Sequence, residues 1–179
     1  MKAECPTKKI LATILTLSLL LMSCALAEQV PAINWEDAES AAADIEGTWY
    51  VFNDIALEYW VPNIFENLDL TEEDGEEMLA KHEMPDGSAG IYAQYLTGYD
   101  GATMDETIAT LEANGATEIE RCTLNGLDAV SFSVPDVDAV YVVFVTQSGN
   151  YVQFIFTPVS DEGFAAVAQL VTASIRPET

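Results

Sequence analysis

Chemistry in this chain would have to come from very few side chains. His82 is the only histidine, and Cys122 is the only cysteine beyond Cys24. The other reactive groups are carboxylates, 30 of them, against six Lys and Arg. A zinc site built on histidine needs further His or Cys ligands, and none lies near His82 in the chain. A Ser-His-Asp triad would have to use His82, yet no G-x-S-x-G elbow accompanies it. Lys81-His82 reads as the exposed end of an acidic helix, where a cation complements the carbonyl end. Cys122 falls in a predicted strand and shares a face with Leu124. It reads as a small buried hydrophobe rather than a nucleophile.

The carboxylates raise two further chemistries. A positioned pair of acids can hydrolyse a glycosidic bond. With this many acids some pair falls at the right distance by chance, and nothing in the sequence marks one. Calcium can be tested by position. Placing Gly75 at the sixth position of an EF-hand loop makes Leu70 the first ligand and Lys81 the twelfth, and neither coordinates calcium. Asp100-Gly101 and Asp136-Val137-Asp138 would suit an irregular site, but each is first of all a turn. No catalytic, cofactor-binding or metal-ligating residue is therefore assigned. One aromatic stands out. Trp60 shares a strand face with Ala56 and Glu58, opposite an apolar set. Exposed, Trp60 beside Glu58 would contact a protein or stack on a glycan. Covered by the N-terminal helix or a neighbouring strand, it would be core.

The N-terminus reads as an export signal. Lys2, Lys8 and Lys9 form a basic start, and Ile10 to Met22 is an apolar run of 13 residues. Ala25 and Ala27 occupy the two positions a signal peptidase inspects, so cleavage would leave Glu28 first. The run is shorter than the roughly 20 residues a membrane span needs. Leu21-Met22-Ser23-Cys24 also resembles a bacterial lipobox, in which Cys24 would be acylated. Two acyl chains give stable anchoring where one does not. The chain is thus predicted to be secreted, or lipid-anchored at Cys24, with membrane contact only through that anchor.

The expected organisation is a signal over 1–27, a lead-in and helix over 28–45, and one domain over 46–179. Residues 1–27 carry three Lys and Glu4, so the −24 of the whole chain becomes −26 after the cut. Nucleic acid is excluded as a partner, because phosphate contacts need clustered Lys and Arg. Anionic membrane surfaces are disfavoured for the same reason. Such charge favours a soluble monomer. Removing Cys5 and Cys24 leaves Cys122 alone, without an internal disulfide.

The elements follow from pattern and capping. Asn34 with Asp37 predicts a capping box and a helix to about Ile45. Thr48–Phe52 and Ile55–Val61 are predicted strands joined by a two-residue Asn53-Asp54 turn, and Pro62 ends the second. Thr71 with Asp74 predicts an acidic helix to about Lys81. Gly90–Thr97 is a strand. Thr103 with Glu106 caps a helix closed by Gly115. Four strands follow: Glu118–Leu124, Leu127–Val134, Ala139–Thr146 and Tyr151–Pro158. Their short links force an antiparallel meander. Val140–Val145 is apolar throughout, so that strand should be covered on both faces. Ser160 is predicted to cap a last helix with a stripe of Phe164, Val167, Leu170, Val171 and Ile175. The fold class is α+β: an antiparallel sheet of about six or seven strands, with helices on both faces.

This order of elements resembles the PsbP-like fold over about residues 46–176. The resemblance rests on a hairpin running into Tyr59-Trp60-Val61-Pro62, on Leu124-Asn125-Gly126-Leu127 at a hairpin turn, and on a final helix ending Ala173-Ser174-Ile175. Its members include an extrinsic photosystem subunit, a nuclear-import factor that binds a small GTPase, and many bacterial secreted or lipid-anchored proteins. The resemblance implies a non-catalytic binding or accessory role in the bacterial envelope or outside the cell. No residue set carries over, because the members share no site motif. The alternatives are a carbohydrate hydrolase using an acidic pair, and a calcium-assisted surface protein.

Overall fold

The computed structural model describes residues 30–99 and 101–178. The signal, Cys24, Ala25, Ala27 and Glu28 lie outside the described residues, as does Asp100. In chain order the elements are β1 (Ala32–Ile33), α1 (Trp35–Ala42), β2 (Gly47–Phe52), β3 (Leu57–Pro62), β4 (Glu66–Leu68), β5 (Met78–Glu83), β6 (Gly90–Tyr95), α2 (Met104–Ala113), β7 (Thr117–Leu124), β8 (Leu127–Ser133), β9 (Val140–Val145), β10 (Tyr151–Thr157), α3 (Glu162–Ser174) and β11 (Arg176–Pro177).

Eight strands make one sheet in the order β1-β7-β8-β9-β10-β6-β5-β4. Only β1 is parallel to its neighbour; the other pairs are antiparallel. The predicted meander is β7 to β10. Its first turn, Asn125-Gly126, has φ of 46° and 89°. That backbone suits a two-residue hairpin, and Asn and Gly are the residues that tolerate it. β9 lies inside the sheet and is buried from both sides. Val142 and Phe144 join one apolar cluster, while Val143 joins another beneath α2.

The two faces have different covers. α2 covers one, packing Met104 and Leu111 against Val130, Phe132 and Tyr151. The other is covered by a second sheet, β11-β3-β2, together with α3. The alternation in β3 explains this placement. Leu57, Tyr59 and Val61 are each at most 1% exposed and face the large sheet. The fold is α+β as predicted, with eight strands in the main sheet and three in the second. The extra strands are short. β1 and β11 have two residues and β4 has three, too few to show a period.

Four local expectations change. The β2–β3 loop is not a two-residue turn. Phe52 pairs with Leu57, leaving a 3-10 turn over Asn53–Ile55 and Ala56 in the left-handed region at φ 48°. Ile55 thus lies in the loop yet remains buried. The predicted acidic helix shrinks to one 3-10 turn, Glu72–Asp74. Its capping box forms, but the chain then enters β5, because pairing with β4 and β6 outweighs weak helix propensity. Asp161, not Ser160, caps α3, accepting from the Phe164 amide at 2.8 Å. Asn34 precedes α1, which ends at Ala42 rather than Ile45, and its side chain makes no cap.

The amide of Trp35, the first residue of α1, instead donates to Asn125 Oδ1 at 2.8 Å. The same side chain donates from Nδ2 to the carbonyls of Ala173 and Ile175 at the end of α3, both at 2.8 Å. One residue therefore joins a hairpin turn to two helix ends. Asn125→Ala is expected to lower stability by about 3 kcal/mol, from lost hydrogen bonds and left-handed strain. Asn125→Gly removes the strain and isolates the hydrogen-bond loss, so it should cost less than Asn125→Ala. Urea unfolding of both variants checks this, and equal costs would show that backbone conformation contributes nothing.

Candidate functional site

The residues singled out in the sequence are largely used inside the fold. Trp60 is 5% exposed. Its ring lies 5.7 Å from that of Trp35, which stands edge-on to Trp49 at 5.4 Å. The indole also lies over Gly47, where any Cβ would collide with the ring. Glu58 accepts from Arg176 Nε at 2.7 Å, and the Arg176 guanidinium sits 4.1 Å above the Trp49 ring. The N-terminal helix α1 covers Trp60, the second of the two placements the sequence allows, so Trp60 is core and the open contact with Glu58 beside it does not form. That cover comes from a segment some 25 residues upstream in the sequence, which strand periodicity does not report.

His82 departs furthest from its predicted place. It lies in β5, not at a helix end, and is 1% exposed. Nε2 shares a hydrogen bond of 2.9 Å with Tyr59 Oη, and Nδ1 has no partner among the described residues. The Tyr50 ring lies 4.6 Å away. Burial pushes the His82 pKa down to about 4 and the Tyr59 phenol well above its ordinary value. Cys122 shares its inward face with Leu124 as predicted, and burial pushes its thiol up to about 11. It is therefore a poor nucleophile near neutrality.

The perturbed carboxylates serve as local caps and ties. Lys81 holds the Asp74 carboxyl down at about 2. Asp86 and Glu106 are lowered chiefly by Ser88 and by Thr103. Asp138 is lowered chiefly by Ser160, whose hydroxyl and amide both donate to it, and it also accepts from the Val159 amide. Asp138 thereby pins the link between β10 and α3. A general acid at neutral pH needs the opposite shift. Among the described residues no three His, Cys, Asp or Glu gather to hold a metal.

A concavity formed by the described residues was not visible in the sequence. It is an open groove of about 1330 Å³ beside the first turns of α3. Asp44, Ile45 and Glu46 come from the α1–β2 link, and Pro62 to Phe65 from the β3–β4 loop. Met84 and Ala89 flank the β5–β6 turn, and Pro158, Asp161, Glu162, Phe164 and Val167 come from β10–α3 and α3. Phe65 and Phe164, 5.9 Å apart, anchor the floor. Backbone hydrogen bonds hold the walls: Asn63 donates to Glu46 O at 2.9 Å, and Met84 donates to Ala89 O at 2.9 Å. Ile64 projects here at 54% exposure, the highest of any large exposed hydrophobic residue described. Every charged residue of the lining is acidic. The only sequence signal was Ile64 itself, an apolar residue in a turn-rich stretch.

No protein-family model matches this chain, and no curated protein matches it. Solved structures do. The solution structure of cyanobacterial PsbP (CyanoP) from Synechocystis sp. PCC 6803 is similar at a TM-score of 0.51 and 12% identity, covering 74% of this chain and 93% of that one. A crystal structure from Bacteroides thetaiotaomicron is similar at a TM-score of 0.48 and 16% identity, covering 75% of this chain and 50% of that one. The fold is PsbP-like. No described helix is long and apolar enough to cross a membrane.

Burial of His82 sets a pH dependence. An unfolded histidine takes its proton near pH 6.5, whereas His82 in the fold resists it until about 4. Between these values the unfolded chain binds more protons, so stability decreases as the pH is lowered. The contribution is complete above about pH 6.5 and lost as pH drops to about 4, with a loss on the order of 3 kcal/mol. His82→Gln keeps a partner for Tyr59 and does not titrate. Its unfolding free energy should be flatter than that of the natural protein from pH 6.5 to 4, and parallel curves would contradict the assignment to His82.

Proposed function

We propose that this chain is an exported, non-catalytic binding or accessory protein that holds a partner protein in the groove beside α3. The observation that carries this reading is the groove itself. It presents an apolar surface around Ile64 on a framework fixed by backbone hydrogen bonds and packed aromatic rings. Contiguous apolar surface rimmed by polar groups is characteristic of a docking site. The reactive groups point the same way. His82 and Cys122 are buried, and the shifted carboxyls are tied down as caps. A glycan is a poorer fit, because the phenyl rings of the lining lie buried in the floor rather than offered for stacking. The basic start, the apolar run and the Ala25/Ala27 cleavage site support export. The protein would then act in the extracellular space, or at the membrane surface through acylated Cys24. Its strong negative charge favours a monomer.

Two measurements test this. A photoreactive side chain at position 64, in the exporting cell, should crosslink one partner, whereas the same group at exposed Val137 should not. Equal capture from both positions, or none from 64, overturns the groove as the docking site. The intact mass of the exported protein should match either Glu28–Thr179 or a diacylated chain beginning at Cys24. A mass that still includes residues 1–23 contradicts export by either route.

A further inference from the structure

We infer that the groove takes a partner segment in which two or three apolar side chains are flanked by Lys or Arg; this rests on the binding reading above and specifies its ligand. The apolar contacts come from Ile64, Met84 and Val167, each at least partly exposed in the lining. Methionine there adapts to different side chains. The charged contacts come from Asp44 and Glu46 on one connection, and from Asp161 and Glu162 at the start of α3. All four are exposed. No cation in the lining neutralises them, because the three cations of the described residues are engaged elsewhere. Lys81 pairs with Asp74, Arg121 with Asp105 and Asp128, and Arg176 with Glu58.

Charge complementarity selects among occupants. A second copy of this chain would bring an equally acidic rim against this one, and like charges across an interface repel. An anionic membrane surface is repelled for the same reason. A volume of about 1330 Å³ exceeds the roughly 300–1,000 Å³ usual for small-molecule sites and suits a stretch of polypeptide. Basic flanks would speed the encounter, and apolar burial would hold the complex.

The test is fluorescence anisotropy with the exported protein and a labelled peptide carrying three Leu between Lys pairs. A twin with Ser for Leu and a twin with Glu for Lys serve as controls. Saturable one-to-one binding of the first peptide is expected, weakening as salt rises from about 20 to 200 mM because exposed charges are screened. Ile64→Ser should weaken it about tenfold, and so should Glu46→Gln with Glu162→Gln, a change of about 1.4 kcal/mol each. Glu72→Gln with Glu73→Gln removes the same charge from exposed positions outside the groove, and should change binding less than twofold. Equal weakening by the two double variants means diffuse attraction and overturns the inference. So does equal binding of the Ser twin, or no binding at low salt. A dimer that Ile64→Ser dissolves would overturn it in favour of self-association. If the crosslink from position 64 persists while the peptide fails, the groove still docks a partner and only the ligand chemistry is wrong.

Discussion

Asn125 occupies the tip of the β7–β8 hairpin with a left-handed backbone, and from there its amide reaches three backbone groups in two helices. The rest of the arrangement follows from this junction. The main sheet has apolar side chains on both faces and needs two covers. One cover is a single helix, α2, held by its own capping box, in which the Thr103 hydroxyl accepts from the Glu106 amide and the Glu106 carboxylate accepts from the Thr103 amide. The other is assembled from pieces far apart in the chain: α1, the β2–β3 hairpin and α3. Ser174 joins α3 to β3, accepting from the Trp60 amide at 2.9 Å. Asn125 joins α1 and the end of α3 to the sheet. The same residue that the turn requires thus fastens the composite cover.

Charge cannot perform that task here. Each cation of the described residues has an acidic partner, but ion pairs with solvent access contribute little. Arg176 is the best placed, because it also stacks on Trp49. The remaining carboxylates have no cation to meet among the described residues and repel one another. Stability must come from three apolar clusters and from hydrogen bonds that tie elements together. His82 carries this logic into the core. A neutral imidazole fits beside Tyr59 and Tyr50, while a charged one does not.

The groove is a by-product of the composite cover. A single helix leaves no seam over the sheet, but a small sheet beside a helix does. At that seam the β3–β4 loop turns outward and leaves Ile64 in solvent. The acids of the α1–β2 link and of the start of α3 gather there without any cation. Glu162 in the first turn of α3 is locally favourable, since the positive end of the helix dipole lies nearby. An apolar strip with an acidic edge therefore arises from ordinary helix capping and from where two covering layers meet.

Features governed by short-range chemistry are legible along the chain. The β7–β10 meander, its Asn-Gly turn, the capping box of α2, the apolar stripe of α3 and the inward Cys122 all follow from neighbours within a few residues. The net charge of −24 is equally plain from composition. The placement of His82, Trp60 and Ile64 depends instead on long-range packing. Residues 71–83 carry a genuine helix-start signal, yet β4 and β6 pull Met78–Glu83 into the sheet and bury His82. Trp60 is core because α1 crosses it, and the groove draws on four separate segments. Each of these depends on residues distant in the chain, and local propensity carries no information about partners it does not touch.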